Sequence, residues 1–115
     1  LLVKYYKKAS VFIYPSFEAQ GLVVAEALNS SLPVITLKNT GPNYLVGHND
    51  LSVKKESYNK TIINLSKKLS KVYNEYNNRM LNQSYLKRAY KSRYLADKRI
   101  NWDVMHNNLL KLYKK

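Results

Sequence analysis

The sequence predicts an α/β chain, a small parallel sheet followed by amphipathic helices, and three observations carry that reading. Two short, continuously apolar segments, VFIY at 11–14 and PVITL at 33–37, are separated by a helix-sized segment at 22–29. Strands of that kind with a helix between them are what a parallel sheet covered on both faces produces, because neither strand face meets water. From residue 54 onward the pattern is helical, with no strand signal, and the charge changes with it. Residues 1–53 hold four lysines against three acids, for +1, whereas residues 54–115 hold sixteen Lys or Arg against four acids, for +12. The expected organisation is therefore a strand-helix-strand unit at 1–53 and a run of basic helices at 54–115.

Taken in order, LLVKYYKKAS reads as the end of a helix running into the strand at 11–14, and Pro15-Ser16 stops that strand. The helix at 22–29 leads to the strand at 33–37, after which Asn39, Thr40, Gly41 and Pro42 predict a turn. A third short strand is expected at 51–53. Tyr58, Ile62, Leu65, Leu69, Val72, Tyr76 and Met80 then recur at spacings of three and four, an apolar stripe along one helix, with Lys60, Lys67 and Lys71 off it. A break is expected at 82–84, followed by helical segments at 85–94 and 100–113, with Trp102 near the start of the last.

Composition narrows the chemistry. At 115 residues with 45% apolar and 12% aromatic content, the chain has enough apolar surface for one small core. It has no cysteine, so disulfide and thiolate-metal frameworks are excluded, and His48 and His106 lie too far apart in sequence to mark a local metal site. A reducing, cytoplasmic setting is expected. The apolar run at 22–28 contains Glu26 and falls far short of the ~20 residues that span a bilayer. N-x-S/T matches at Asn29, Asn59, Asn64 and Asn82 are what an asparagine-rich chain produces by chance.

The chemically informative residues are Glu18 and Glu26. On one continuous helix they would be separated by ~12 Å along the axis and ~80° around it, too far to share a ligand atom. With Pro15 behind and Gly21 ahead, residues 16–20 read better as a loop, and the helix begins near Gly21 or Leu22. Glu18 then precedes the helix and Glu26 lies in its second turn. The backbone N–H groups of Gly21, Leu22 and Val23 are left without intrahelical partners, at a terminus whose dipole favours anions. The loop also follows the carboxyl end of a strand, where open parallel sheets bind ligands. This arrangement suits an anionic, hydroxyl-rich ligand such as a nucleotide sugar: amides for the phosphates, carboxylates for the hydroxyls. The plainer alternative makes Glu18 a surface loop residue and Glu26 the solvent-facing position of a mostly buried helix.

The segment PSFEAQGLVVAEALNSSLPVI resembles the signature of the family 4 retaining glycosyltransferases, through Pro15, Ser16, Glu18, Gly21, Leu22, Glu26, Ala27, Pro33, Val34 and Ile35 in register. The closing INWDVMHNNLLKLYKK is similar to that family's last helix. The resemblance implies a GT-B fold, with this chain as the C-terminal part of its Rossmann-like, nucleotide-sugar-binding domain. It implies transfer of a sugar of the hexosyl type from a nucleotide donor to an acceptor hydroxyl with retention, and no cofactor or obligatory metal. By the resemblance, Glu18 contacts the transferred sugar and is the nearest thing to a catalytic carboxylate. Gly21, Leu22 and Val23 supply backbone donors, and Glu26 holds the ribose. Ser30 and Ser31 stand where the family usually has glycine, which predicts a different helix exit.

Partners follow from the same resemblance: a nucleotide sugar, a glycan or lipid-linked acceptor, and an N-terminal acceptor domain that, with the phosphate-neutralising basic pair, is expected upstream of Leu1. Lys38 does not match that pair. The chain is accordingly expected to be a donor-binding fragment, inactive alone. An alternative reads the basic half as a nucleic-acid-binding or anionic-membrane-binding module. The interleaved Tyr and Arg of residues 85–99 fit helix packing as well as nucleic acid, and no recognised nucleic-acid motif is present. An anionic membrane surface stays open as a partner and would place the protein peripherally on the inner face.

Overall fold

The structure, a computed structural model, describes residues 2–16, 22–47, 49–99 and 102–113. Helix α1 (Leu2–Lys8) leads into strand β1 (Phe12–Tyr14), then α2 (Leu22–Asn29), β2 (Val34–Leu37), α3 (Gly41–Val46) and β3 (Ser52–Val53). Helices α4 (Tyr58–Asn77), α5 (Asn82–Arg99) and α6 (Trp102–Tyr113) complete the chain. The described strands form one parallel sheet in the order β1-β2-β3, with Phe12 opposite Val34 and Thr36 opposite Ser52. This is the expected partial Rossmann-like sheet followed by helices.

Alternation along the strands divides the core between two faces. Val34 packs with Tyr6 of α1, with Val24, Ala27 and Leu28 of α2, and with Leu95 and Ala96 of α5. Ile35 and Leu37 face the other way, onto Leu65 and Val72 of α4. Val24, Leu28 and Ile35 have no exposed surface, and burying each contributes roughly 1.5–3 kcal/mol. One polar cluster is buried among them. Asn43 Oδ1 of α3 accepts hydrogen bonds from Thr36 Oγ1 at 3.0 Å and Ser52 Oγ at 2.5 Å, tying α3 to β2 and β3.

Burial on both faces holds for β2 but not for β1, where Ile13 is 39% exposed. The reason is position: β1 is an outer strand of the described sheet, and α4 packs on β2 and β3 instead of over it.

Three local expectations are corrected. The turn expected at 39–42 is split. Asn39 takes a left-handed φ of 61°, Thr40 caps α3 by accepting from Asn43 N–H at 3.1 Å, and Gly41 and Pro42 already belong to the helix. Proline in the first helical turn loses no hydrogen bond and arrives with a helical φ, so it opened a helix here instead of closing a turn. The break expected at 82–84 lies at 78–81. There Asn78 Oδ1 accepts from Met80 N–H at 2.9 Å, a local side-chain turn that competes with helix continuation, and α5 begins at Asn82. Met80 therefore leaves the apolar stripe, of which only Leu65 and Val72 reach the core.

The exit from α2 is also not the one expected. Leu32 N–H donates to Ala27 O at 3.1 Å and Ser31 N–H to Leu28 O at 3.0 Å, with Ser31 at φ 61°. That is the double-bonded helix ending normally built on glycine, retained here with serine in the left-handed position.

Candidate functional site

The carboxyl ends of β1 and β2 bring together Pro15-Ser16, the start of α2 and the turn into α3. Two of the expected site residues, Glu18 and Gly21, lie outside the described residues. The other three sit as anticipated about the helix start. Leu22 is the first residue of α2, Val23 follows it half-buried, and Glu26 lies one turn on.

Their orientation follows from what the helix buries. Val24, Ala27 and Leu28 point to the sheet, so Leu22 and Glu26, four residues apart, share the outward face. Leu22 is 73% exposed, and its contribution to ligand binding would come through its backbone N–H. The first turn of α2 holds no acidic residue, so its positive dipole end is not neutralised from within the helix.

Glu26 has a partner that the sequence did not announce. Tyr6 Oη of α1 donates to Glu26 Oε2 at 3.0 Å and lies 3.4 Å from Val23 O. Tyr6 is 7% exposed, whereas its neighbour Tyr5 is largely in solvent. Burial, and then the bonded Glu26 carboxylate, push the Tyr6 phenol up to about 12, so it keeps its proton at neutral pH and donates. Its ring rests against Phe12 at a centroid distance of 6.0 Å. No spacing signal distinguishes Tyr5 from Tyr6; only the packing of α1 against α2 does.

The strongest charge cluster lies at the other end of the sheet. Asp50 precedes β3, and its carboxylate takes both Nη atoms of Arg88 at 2.7 and 2.8 Å and Lys71 Nζ at 2.8 Å, while Arg88 Nε reaches buried Glu75 at 2.7 Å. Every member of this set is paired, and it joins the β3 entrance to α4 and α5; its geometry is that of a structural tie. Arg93 likewise bonds Asn29 O at 2.8 Å, satisfying the end of α2. Two arginines of the Tyr-Arg segment at 85–99 are thus engaged inside the molecule, and Tyr85 Oη donates to Ser10 O at 2.8 Å.

A groove of about 620 Å³ between the start of β1 and α4 is lined by Val11, Leu69, Tyr73 and Tyr76, with no acid or base among its walls. It is also at the sheet end remote from α2's N-terminus. Among the described residues there is no cluster of three or more metal-ligating acids or histidines, and no helix long and apolar enough to cross a membrane.

Comparison with known proteins returned a family match. The model for glycosyl transferases group 1 matches residues 2–71, which takes in α1 through most of α4 and the whole of the described sheet. Neither the curated proteins nor the solved structures returned a match.

Proposed function

Since the chain belongs to the glycosyl transferases group 1, we propose that it binds the nucleotide-sugar donor of a retaining, family 4 type transfer of a hexosyl unit to an acceptor hydroxyl. The observation that carries this reading is Glu26: an outward-facing carboxylate one turn into the helix that follows the carboxyl end of β1, held from behind by a phenol. A carboxylate so placed can accept from two vicinal ribose hydroxyls while the free amides of the helix start take the phosphates. In this reading Glu18, in the loop ahead of α2, meets the hydroxyls of the transferred sugar, and Gly21, Leu22 and Val23 donate from the backbone.

The division of labour is electrostatic. Departure of the nucleotide leaves negative charge on its phosphate oxygens, and preorganised N–H groups stabilise that charge without reorganising. Glu26 fixes the nucleoside so that the anomeric carbon sits in one place relative to those donors.

The test is calorimetric binding of nucleotide sugars by the intact protein and its Glu26→Ala variant. A loss of about tenfold in affinity, the value of one good charge-assisted contact, is expected. Unchanged affinity would discard the ribose role. Analysis of the product anomer by NMR tests retention separately, and inversion would remove the family 4 type assignment.

A further inference from the structure

We propose that Tyr6 is a positioning residue of the donor site, its buried hydroxyl holding the Glu26 carboxylate in the orientation that receives the nucleotide's ribose diol. The inference rests on the reading of Glu26 given above and adds to it a residue twenty positions away, on a different helix.

The geometry separates a fixed partner from a mobile one. The Tyr6 ring is buried and packed on Phe12, so its hydroxyl has a defined place. Glu26 is exposed, and a free glutamate there would sample several rotamers, a freedom that must be given up on binding. A hydrogen bond from a buried donor removes part of that cost before the ligand arrives. A hydroxyl has one proton to give. Of the two acceptors within reach, the carboxylate oxygen at 3.0 Å is the nearer and the charged one, and Val23 O at 3.4 Å is the weaker. Because Tyr6 occupies one lone pair of Oε2, the rest of that oxygen and all of Oε1 are left to accept. Among the described residues Oε1 takes no hydrogen bond. Two adjacent acceptor oxygens held in one plane match a vicinal diol and discriminate against a sugar lacking one hydroxyl.

The test uses the intact protein with UDP, GDP and ADP and their 2′-deoxy counterparts as probes, titrated into wild type, Tyr6→Phe, Glu26→Ala and the double variant. Tyr6→Phe keeps the ring and removes only the hydroxyl. It is expected to weaken the preferred ribonucleotide about fivefold, the effect of one hydrogen bond. It should lower the ribo-to-deoxy ratio by a similar factor, and change nothing further once Glu26 is alanine. If Glu26→Ala weakens binding and Tyr6→Phe does not, the positioning role is overturned while the ribose role stands. Equal loss for ribo and deoxy probes, or an undiminished effect in the Glu26→Ala background, marks Tyr6 as a structural residue and overturns it too. If Glu26→Ala itself binds as wild type does, the ribose role falls and the proposal falls with it.

Discussion

Arg88 Nε lies 2.7 Å from Glu75 Oε2, with its Nη2 at 2.9 Å from Oε1, a two-pronged pairing in which Glu75 is 6% exposed. The fork geometry of guanidinium matches both oxygens, and Asp50 takes the outer edge of the same group. Burial of these charges is tolerated only because each is matched. Replacing Arg88 by methionine strands the Glu75 carboxylate, with an expected loss of about 3–5 kcal/mol in urea unfolding. Replacing both Arg88 and Glu75 by methionine should return most of that loss. A double variant no more stable than the single one would show that the arginine acts by some route other than pairing Glu75.

Acid should loosen the outer half of the same network. Hydrogen bonding from Arg88, and to a lesser extent from Lys71, holds the Asp50 carboxyl well below its ordinary 3.8, against a smaller opposing effect of burial. A depressed folded-state value contributes stability that is present above 3.8 and lost as pH falls through the lower folded value. Because Asp50 is nearly half exposed, solvent screens the effect. Thermal melts from pH 5 downward should show wild type losing stability faster than Asp50→Asn below about pH 4; parallel curves would remove Asp50 as a contributor.

Alkali acts on the site in the opposite sense. The Tyr6 phenol stands at about 12 against an ordinary 10.0, chiefly from burial and then from Glu26. A raised folded-state value contributes stability that is complete below 10.0 and disappears as pH rises through about 12. Burial also raises the Tyr85 phenol, so ultraviolet phenolate titration should find Tyr6 among the late-ionising tyrosines, its step coupled to unfolding. Tyr6→Phe should remove one late step and flatten the stability curve above pH 10; late steps unchanged in number and position would assign them to other tyrosines.

Ser31 offers a stabilising substitution. Its φ of 61° is a conformation glycine reaches without the Cβ clash, and the two hydrogen bonds that close α2 keep it there. Ser31→Gly should raise stability by about 0.5–1 kcal/mol, the relief of strain exceeding the entropy glycine adds to the unfolded chain. A lower melting temperature for the glycine variant would mean that the serine side chain contributes more than its backbone strain costs.

Much of the architecture was legible because its signals are local. The helix Leu22–Asn29 and the strand Val34–Leu37 follow from short apolar runs bounded by Gly21 and Pro33, and Glu26 stands out as a carboxylate inside such a run. What escaped notice depends on which surface meets which. Glu75 has the look of one more solvated helix charge, and only the approach of α5 puts Arg88 against it. Thr40 and Asn43 have the composition of a turn, yet the cap and the hydrogen bonds to Thr36 and Ser52 make them the start of a helix. The apolar stripe of α4 was correct as a helical period but not as a buried face, since α4 packs on β2 and β3 through Leu65 and Val72 while Ile62, Leu69 and Tyr76 stay partly in solvent.

The sequence by itself determined the class of this protein, an α/β chain with a basic helical end, because hydrophobic period and turn residues are properties of neighbours along the chain. Only the tertiary structure decided which tyrosine of the pair Tyr5 and Tyr6 reaches Glu26, and that Asp50, Glu75 and Arg88 form one tie at the opposite end of the sheet. The physical reason is range. A hydrogen bond acts over about 3 Å, and residues twenty or thirty-eight positions apart come within that distance only after helices pack on the sheet.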